Sequence, residues 1–217
     1  MKEYSADLHI HSALSPCAAE EMTPPATVAR AREAELDLIA VCDHNSARNA
    51  AAVQQAAKGH PAVIAGIEIT TAEEVHLLGL FPDAEAAQTV AKMVEASLPP
   101  YAPSKHMGFP RVMDAQGKIV GTVDRMLGAA SSFALEEAVD TIHRYGGLAV
   151  PAHVDRPSFS LLSQLGLFPK DAHFDAIELS AHGAQTGRER DVAHQHLAVI
   201  ASSDSHNLCE IGSCRTV

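Results

Sequence analysis

Thirteen histidines in a chain of 217 residues are an unusual supply of imidazole, and several of them stand beside carboxylates in short motifs. The motifs are Asp7-Leu8-His9-Ile10-His11, Asp43-His44-Asn45, Gly66-Ile67-Glu68-Ile69, Val75-His76-Leu77, Pro151-Ala152-His153 and Ser203-Asp204-Ser205-His206. Imidazole and carboxylate are the ligands of divalent metal ions. Mixed N and O sets suit Zn²⁺, Mn²⁺ or Fe better than Mg²⁺ or Ca²⁺. In an extended segment, residues i and i+2 share a face, so His9 and His11 can serve one ion.

These residues need elements that carry them to one place. Short apolar runs read as strands over 4–9, 36–42, 62–70, 75–81, 148–152, 176–179 and 198–202. Helices are expected over 24–35, 46–58, 83–98, 133–145 and 186–196, the first opened by Thr23 with prolines in its first turn. Continuous apolar strands alternating with helices indicate a parallel α/β sheet, either a barrel or a doubly wound sheet. In such folds the carboxyl ends of the strands face one way and form the site. Six motifs at strand ends would therefore converge on a polynuclear metal centre. No Gly-rich phosphate loop follows a strand, which argues against a nucleotide site of the Rossmann or P-loop kind.

Length and composition bound the rest. The chain suits one domain over 1–217 and buries roughly 70% of its extended surface without a disulfide scaffold. Hydrophobic residues make up 47% and charged residues 20%, as in ordinary globular proteins. The start carries no apolar signal segment, and the four cysteines read as free thiols of a reducing cytoplasm. Cys209 and Cys214 could pair or share a metal, a weak signal at that spacing. Residues 99–128 interrupt the alternation with a long loop and a hairpin turning at 114–117. Its Lys105, His106, Arg111 and Arg125 could form a lid over a substrate or a solvated excursion. The net charge of −11 argues against general nucleic-acid binding. A small phosphorylated substrate is expected instead, with a nucleic-acid end left open, no membrane partner, and no sign of the oligomeric state.

The motifs D-L-H-I-H-S, V-C-D-H-N, G-I-E-I, P-A-H-V and S-S-D-S-H resemble, in order and interval, the polymerase and histidinol phosphatase (PHP) family over nearly the whole chain. The resemblance implies a distorted (β/α)7 barrel with two or three divalent ions at the carboxyl ends of the strands, and phosphoester hydrolysis. It implies that His9, His11, Glu68 and Asp204 hold one ion and that Glu68, His76 and His153 hold a second. His44 and His206 resemble ligands of a third. Asp7 and Asp43 look like carboxylates that orient ligand histidines. Two departures stand out. Where family members carry an Asp or His to complete the third site, this chain has Pro16 and Cys17. Cys17 is either a thiolate ligand, favouring zinc, or a buried loop thiol replaced by Glu20, Glu21 or water. Only eleven residues follow His206, where a closing strand or helix is expected.

The expected reaction is hydrolysis of a phosphorylated metabolite or nucleotide by a metal-bridged hydroxide. Arg156 would grip the phosphate, or else form a salt bridge to Asp155 or another acid. His182 is a candidate leaving-group acid or phosphate contact. Glu178 reads as structural, Ser202 and Ser203 as turn residues, and His60, His143, His173, His194 and His196 as surface or packing groups. The alternatives are an amidohydrolase, which would typically carry a strand-end Lys absent here, and a non-catalytic regulatory or polymerase-accessory module.

Overall fold

The fold is described from a computed structural model covering residues 3–102, 109–169, 171–188 and 196–217. Seven strands curl into a partial barrel. Five of them, β1 (Ala6–Ile10), β2 (Leu38–Val41), β3 (Ala62–Thr70), β4 (His76–Phe81) and β7 (Leu148–Pro151), form one sheet in that spatial order. A parallel pair, β8 (Ala176–Leu179) and β9 (Ala198–Ala201), completes the wall. The joints between the sheets are sparse. Between β7 and β8, Asp175 N donates to Ala149 O and Val154 N to Glu178 O, each at 2.9 Å. Between β1 and the segment after β9, Ile10 bridges Ser205 in parallel.

The C-terminal segment closes the remaining edge. Thr216 exchanges both backbone hydrogen bonds with Ala6 at 2.9 Å, and its hydroxyl joins both backbone groups of Ala201 on β9. The eleven residues after His206 thus supply the closure without a full strand or helix.

One packed cluster draws a residue from each of the seven strands: Leu8, Ala40, Ile64, Leu78, Val150, Ala176 and Ile200. The barrel interior is therefore side-chain core rather than a channel. The opposite faces of the strands pack outward. Ile39 and Val41 meet α1 (Pro24–Glu33) and α2 (Ala50–Ala57), while Ile67, Ile69 and Leu77 meet α3 (Ala84–Ser97) and α4 (Leu135–Arg144). The inside–outside alternation of strands is what sorts the two sets.

Three features depart from the sequence expectation. The sheet is mixed: β4 runs antiparallel to both β3 and β7. Only residues 71–75 join β3 to β4, too few for a crossover helix, so the chain must turn back. The excursion after α3 is also anchored. Its hairpin, β5 (Arg111–Met113) and β6 (Ile119–Thr122), turns at Asp114, whose carboxylate accepts from Gln116 N and Lys118 N. Asn49 holds Arg111 O and Met113 N, and Asn45 holds Leu127 O and Ala129 O. Arg111 pairs with Glu20. Lys105 and His106 lie outside the described residues. Two short helices, α5 (Leu161–Leu165) and α6 (Ala181–Gln185), were not expected, and most of the expected helix over 186–196 lies outside the described residues. No described helix is long and apolar enough to cross a membrane.

Candidate metal centre

The strand ends converge on one carboxylate. Glu68, fully buried near the end of β3, has His44 Nδ1 at 2.8 Å, His76 Nδ1 at 2.8 Å, His153 Nε2 at 3.3 Å, His11 Nε2 at 3.4 Å and His9 Nε2 at 3.5 Å. Asp204 Oδ1 lies 3.0 Å from His11 Nε2 and 3.4 Å from His9 Nε2. The reversal of β4 explains His76: it is the first residue of its strand, paired with Thr70, so a strand running the other way still delivers it to the same rim. On β1, a register shift between Asp7 and Ile10 lets both His9 and His11 reach the centre. His153 and Asp204 leave their strands with φ of 32° and 50°, the left-handed turns that swing their side chains inward.

The hydrogen bonds around His9 and His11 decide what their inner nitrogens can bind. His9 Nδ1 meets Glu178 Oε2 at 3.0 Å, and the carboxylate can only accept. Ser15 Oγ spends its single proton on Asp43 Oδ1 at 2.7 Å, so His11 Nδ1, 2.9 Å away, must be the donor to Ser15. In the neutral rings both Nε2 atoms then carry lone pairs, 3.2 Å apart. Lone pairs thus face lone pairs and the carboxylates of Asp204 and Glu68. Two nitrogens on one tetrahedral Zn²⁺ would be about 3.4 Å apart, so the set fits a shared cation. On the other side, His44 Nδ1, His76 Nδ1 and Glu68 Oε2 are buried without a hydrogen-bond partner. Their close approach lies off the hydrogen-bond line, as expected of atoms aimed at a common ion. Three ligand groupings emerge: His9, His11 and Asp204; His44, Glu68 and His76; and His11, His44 and His206.

The electrostatics agree. Burial alone would push His9 down, but Glu178, Asp204 and Glu68 outweigh it and raise it well above the usual imidazole range. Burial also disfavours ionised Glu68, yet His76, His44 and His9 hold its carboxyl well below the usual range. His44 is carried up to about 10 against its burial, chiefly by Glu68. His11 goes the other way, lowered by burial and by His206 and His44. Without a metal, protons take up the role of the cation.

The other expected residues fall as follows. Asp43 is occupied by Ser12 N, Ser12 Oγ and Ser15 Oγ, so it supports His11 through one hydroxyl. Asp7 accepts from Ser203 N, Ser203 Oγ and Gly212 N, and so fixes the turn that presents Asp204 rather than a histidine ring. Cys17 is exposed at the rim and joins none of the three ligand groupings among the described residues; the influence of His206 and His44 outweighs its partial burial and brings its thiol down to about 6. His44 reaches both Glu68 and the Cys17–His206 side. Arg156 Nη1 lies 2.7 Å from Asp204 Oδ2, whereas Asp155 is taken by Ser180 N and Oγ. His182 is exposed in the first turn of α6 and shares no hydrogen bond or ion pair with the centre among the described residues. Cys42, Cys209 and Cys214 are free, and His143 pairs with Asp175 near the surface.

Glu178 is the residue that sequence reasoning undervalued. It orients His9 on β1 and also accepts from His153 N, just past the neighbouring β7, at 3.1 Å. Its signal was present: it is another carboxylate near a strand end. Ser15 had none, because its role depends on meeting Asp43 and His11 in space. Beside the centre opens a cleft of about 280 Å³ lined by Pro16, Cys17, His44, Thr70, His76, Gly128 and Phe159.

Comparison with known proteins agrees with this picture. The PHP domain profile matches residues 7–151. The 5'-3' exoribonuclease Rnm of Escherichia coli is 30% identical, over 94% of this chain and 85% of its own. Endonuclease Q from Pyrococcus furiosus superposes with a TM-score of 0.65 at 20% identity over 94% of this chain, which spans only 49% of that enzyme. An amidohydrolase from Chromobacterium violaceum gives 0.66 at 21% identity over 98% of this chain and 91% of its own. At those identities the two structures establish the fold alone. The likeness to an exoribonuclease overturns the expectation of a small phosphorylated substrate with nucleic acid disfavoured. Net charge is a poor guide to the substrate here, because Asp7, Asp43, Glu68, Glu178 and Asp204 all sit in or behind the centre, where each bound divalent ion would offset two negative charges. With a matching profile over two thirds of its residues, the chain belongs to the PHP domain family and is a metal-dependent hydrolase of phosphoesters.

Proposed function

We propose that this chain is a nuclease that hydrolyses the terminal phosphodiester of a nucleic-acid strand. The observation that carries the reading is the set of lone pairs from His9, His11 and Asp204 turned toward one point beside Glu68. The likeness to an exoribonuclease selects the substrate class. In this reading His9, His11, Glu68 and Asp204 hold one ion, and Glu68, His76 and His153 a second. His44 and His206, with Cys17, hold a third. Imidazole–carboxylate sets favour Zn²⁺, Mn²⁺ or Fe. Bound divalent ions supply Lewis acidity toward a phosphoryl oxygen and make water a nucleophile at neutral pH.

The chain's own residues do the positioning. Glu178 fixes the His9 ring, Asp43 fixes His11 through Ser15, and Asp7 fixes the turn before Asp204. Arg156 is half exposed on the same rim. Its planar guanidinium can bridge from Asp204 to a phosphoryl oxygen, holding the scissile group against the centre. Ser12, Ser15 and Ser203 are committed to carboxylates, so none is a free nucleophile. At about 280 Å³ the cleft is small, which favours a strand end over an internal bond of a duplex. Strands from both ends of 1–217 share the barrel, which supports reading the chain as one domain.

The test is direct. The purified chain, loaded with Mn²⁺, is incubated with a 5'-phosphorylated, 3'-labelled RNA oligomer. Stepwise shortening from the 5' end that stops on chelation is the expected result. Intact RNA and DNA oligomers alongside hydrolysis of another phosphoester by the same metal-loaded protein would sink the reading.

A further inference from the structure

We propose that Phe159 is a stacking platform for the base of the terminal nucleotide, an inference that rests on the nuclease reading. Phe159 is 42% exposed and belongs to none of the buried hydrophobic clusters, so core packing does not account for it. It lines the cleft beside His44 and His76. Its backbone sits at φ 54°, a region that a bulky residue enters only under strain and where Gly or Asn would rest easily. An aromatic side chain kept at such a position, open to a cleft, has something to gain from being there.

The ring is also pre-oriented. It stacks on His76 with centroids 4.8 Å apart and planes inclined by 23°, and Phe159 O accepts from His76 N at 2.9 Å. One π-face is thus fixed against the first residue of β4. The same short loop carries His153, which faces Glu68, then Arg156, which faces Asp204, then Phe159. Ser160 braces it, its hydroxyl donating to Arg156 O at 2.7 Å. A metal-facing imidazole, a cation and an aromatic face follow one another at one rim. That order matches a nucleotide with its phosphate at the centre and its base displaced to one side. Stacking suits an enzyme that proceeds along a strand, because every base has a π-face and the contact is tolerant of sequence.

The test uses the metal-loaded protein and two RNA oligomers that differ only at the 5' residue, one carrying a base and one abasic. Release of that residue is followed as kcat and KM separately, with metal content measured for each variant. The wild type should favour the base-bearing end by roughly 5- to 150-fold in KM. Phe159→Ala should reduce that preference to about twofold or less, and Phe159→Trp should keep it. Phe159→Ala retaining the full preference would overturn the proposal while leaving the nuclease reading intact. Equal losses on both oligomers together with lost metal would also overturn it, and would make Phe159 a brace for His76. A wild type that cuts neither oligomer defeats the nuclease reading and this inference together.

Discussion

The inner and outer halves of the centre use the same kinds of residue but hold them differently. His9, His11 and Glu68 are fully buried and Asp204 nearly so, whereas His76, His44 and His206 are 11, 12 and 25% exposed and Cys17 stands at the surface. The inner rings are each clamped through the second nitrogen, by Glu178 and by Ser15 on Asp43. Among the described residues no carboxylate or hydroxyl holds the second nitrogen of His44 or His76, whose Nδ1 atoms face Glu68, and His206 leans on the backbone carbonyl of Asp204. On the proposed assignment the difference teaches that the inner half would keep an ion in one geometry, while the outer half would be open to exchange and adjustment. Clamped ligands lose little entropy on binding, and burial makes an unfilled set of lone pairs costly.

Four variants break or sharpen that contrast. Glu68→Ala touches both halves and should strip the bound metal, with hydrolysis falling on the order of 10³-fold. Elemental analysis beside a rate assay checks it, and retained metal would mean that Glu68 is not the shared ligand. Glu178→Gln leaves every inner ligand in place but weakens the His9 clamp. It should cost roughly 10–100-fold in inner-site affinity. Competition with a chelating dye measures this, and a loss confined to the outer ion would reverse the assignment of halves. Arg156→Ala should raise KM about tenfold with metal content unchanged. Unaltered steady-state kinetics would reduce Arg156 to a salt bridge on Asp204. Cys17→Ser should have the smallest effect on rate. It should cost at most the outer ion and remove thiolate-to-metal absorption from the cobalt-loaded protein; an unchanged spectrum takes Cys17 off the ligand set.

Much of the centre was legible because metal ligands are chosen by atom type and strands end where apolar runs stop. β3 and β8 fall on the expected residues, and the other barrel strands agree within about two residues at each end. All the expected histidine and carboxylate ligands lie at one rim. The helices α5 and α6 were not legible, since five residues carry too little periodicity to announce themselves. Arg156 was expected to grip a phosphate or to pair with an acid, and the acid it meets, Asp204, is 48 residues away, beyond any local pattern.

By itself the sequence determined which histidines and carboxylates stand at the strand ends and the family to which the chain belongs. Those follow from residue identity and short-range spacing, which a linear reading captures. The tertiary structure alone decided that β4 runs backward and so brings His76 to the rim. It alone paired Glu178 with His9, set Ser15 between Asp43 and His11, and let Thr216 close the barrel. Strand direction and hydrogen-bond partnership are properties of chain segments that meet in space. The overall charge of −11 could not say that the acids at the centre would be neutralised by ions, because net charge sums over residues without regard to where they lie.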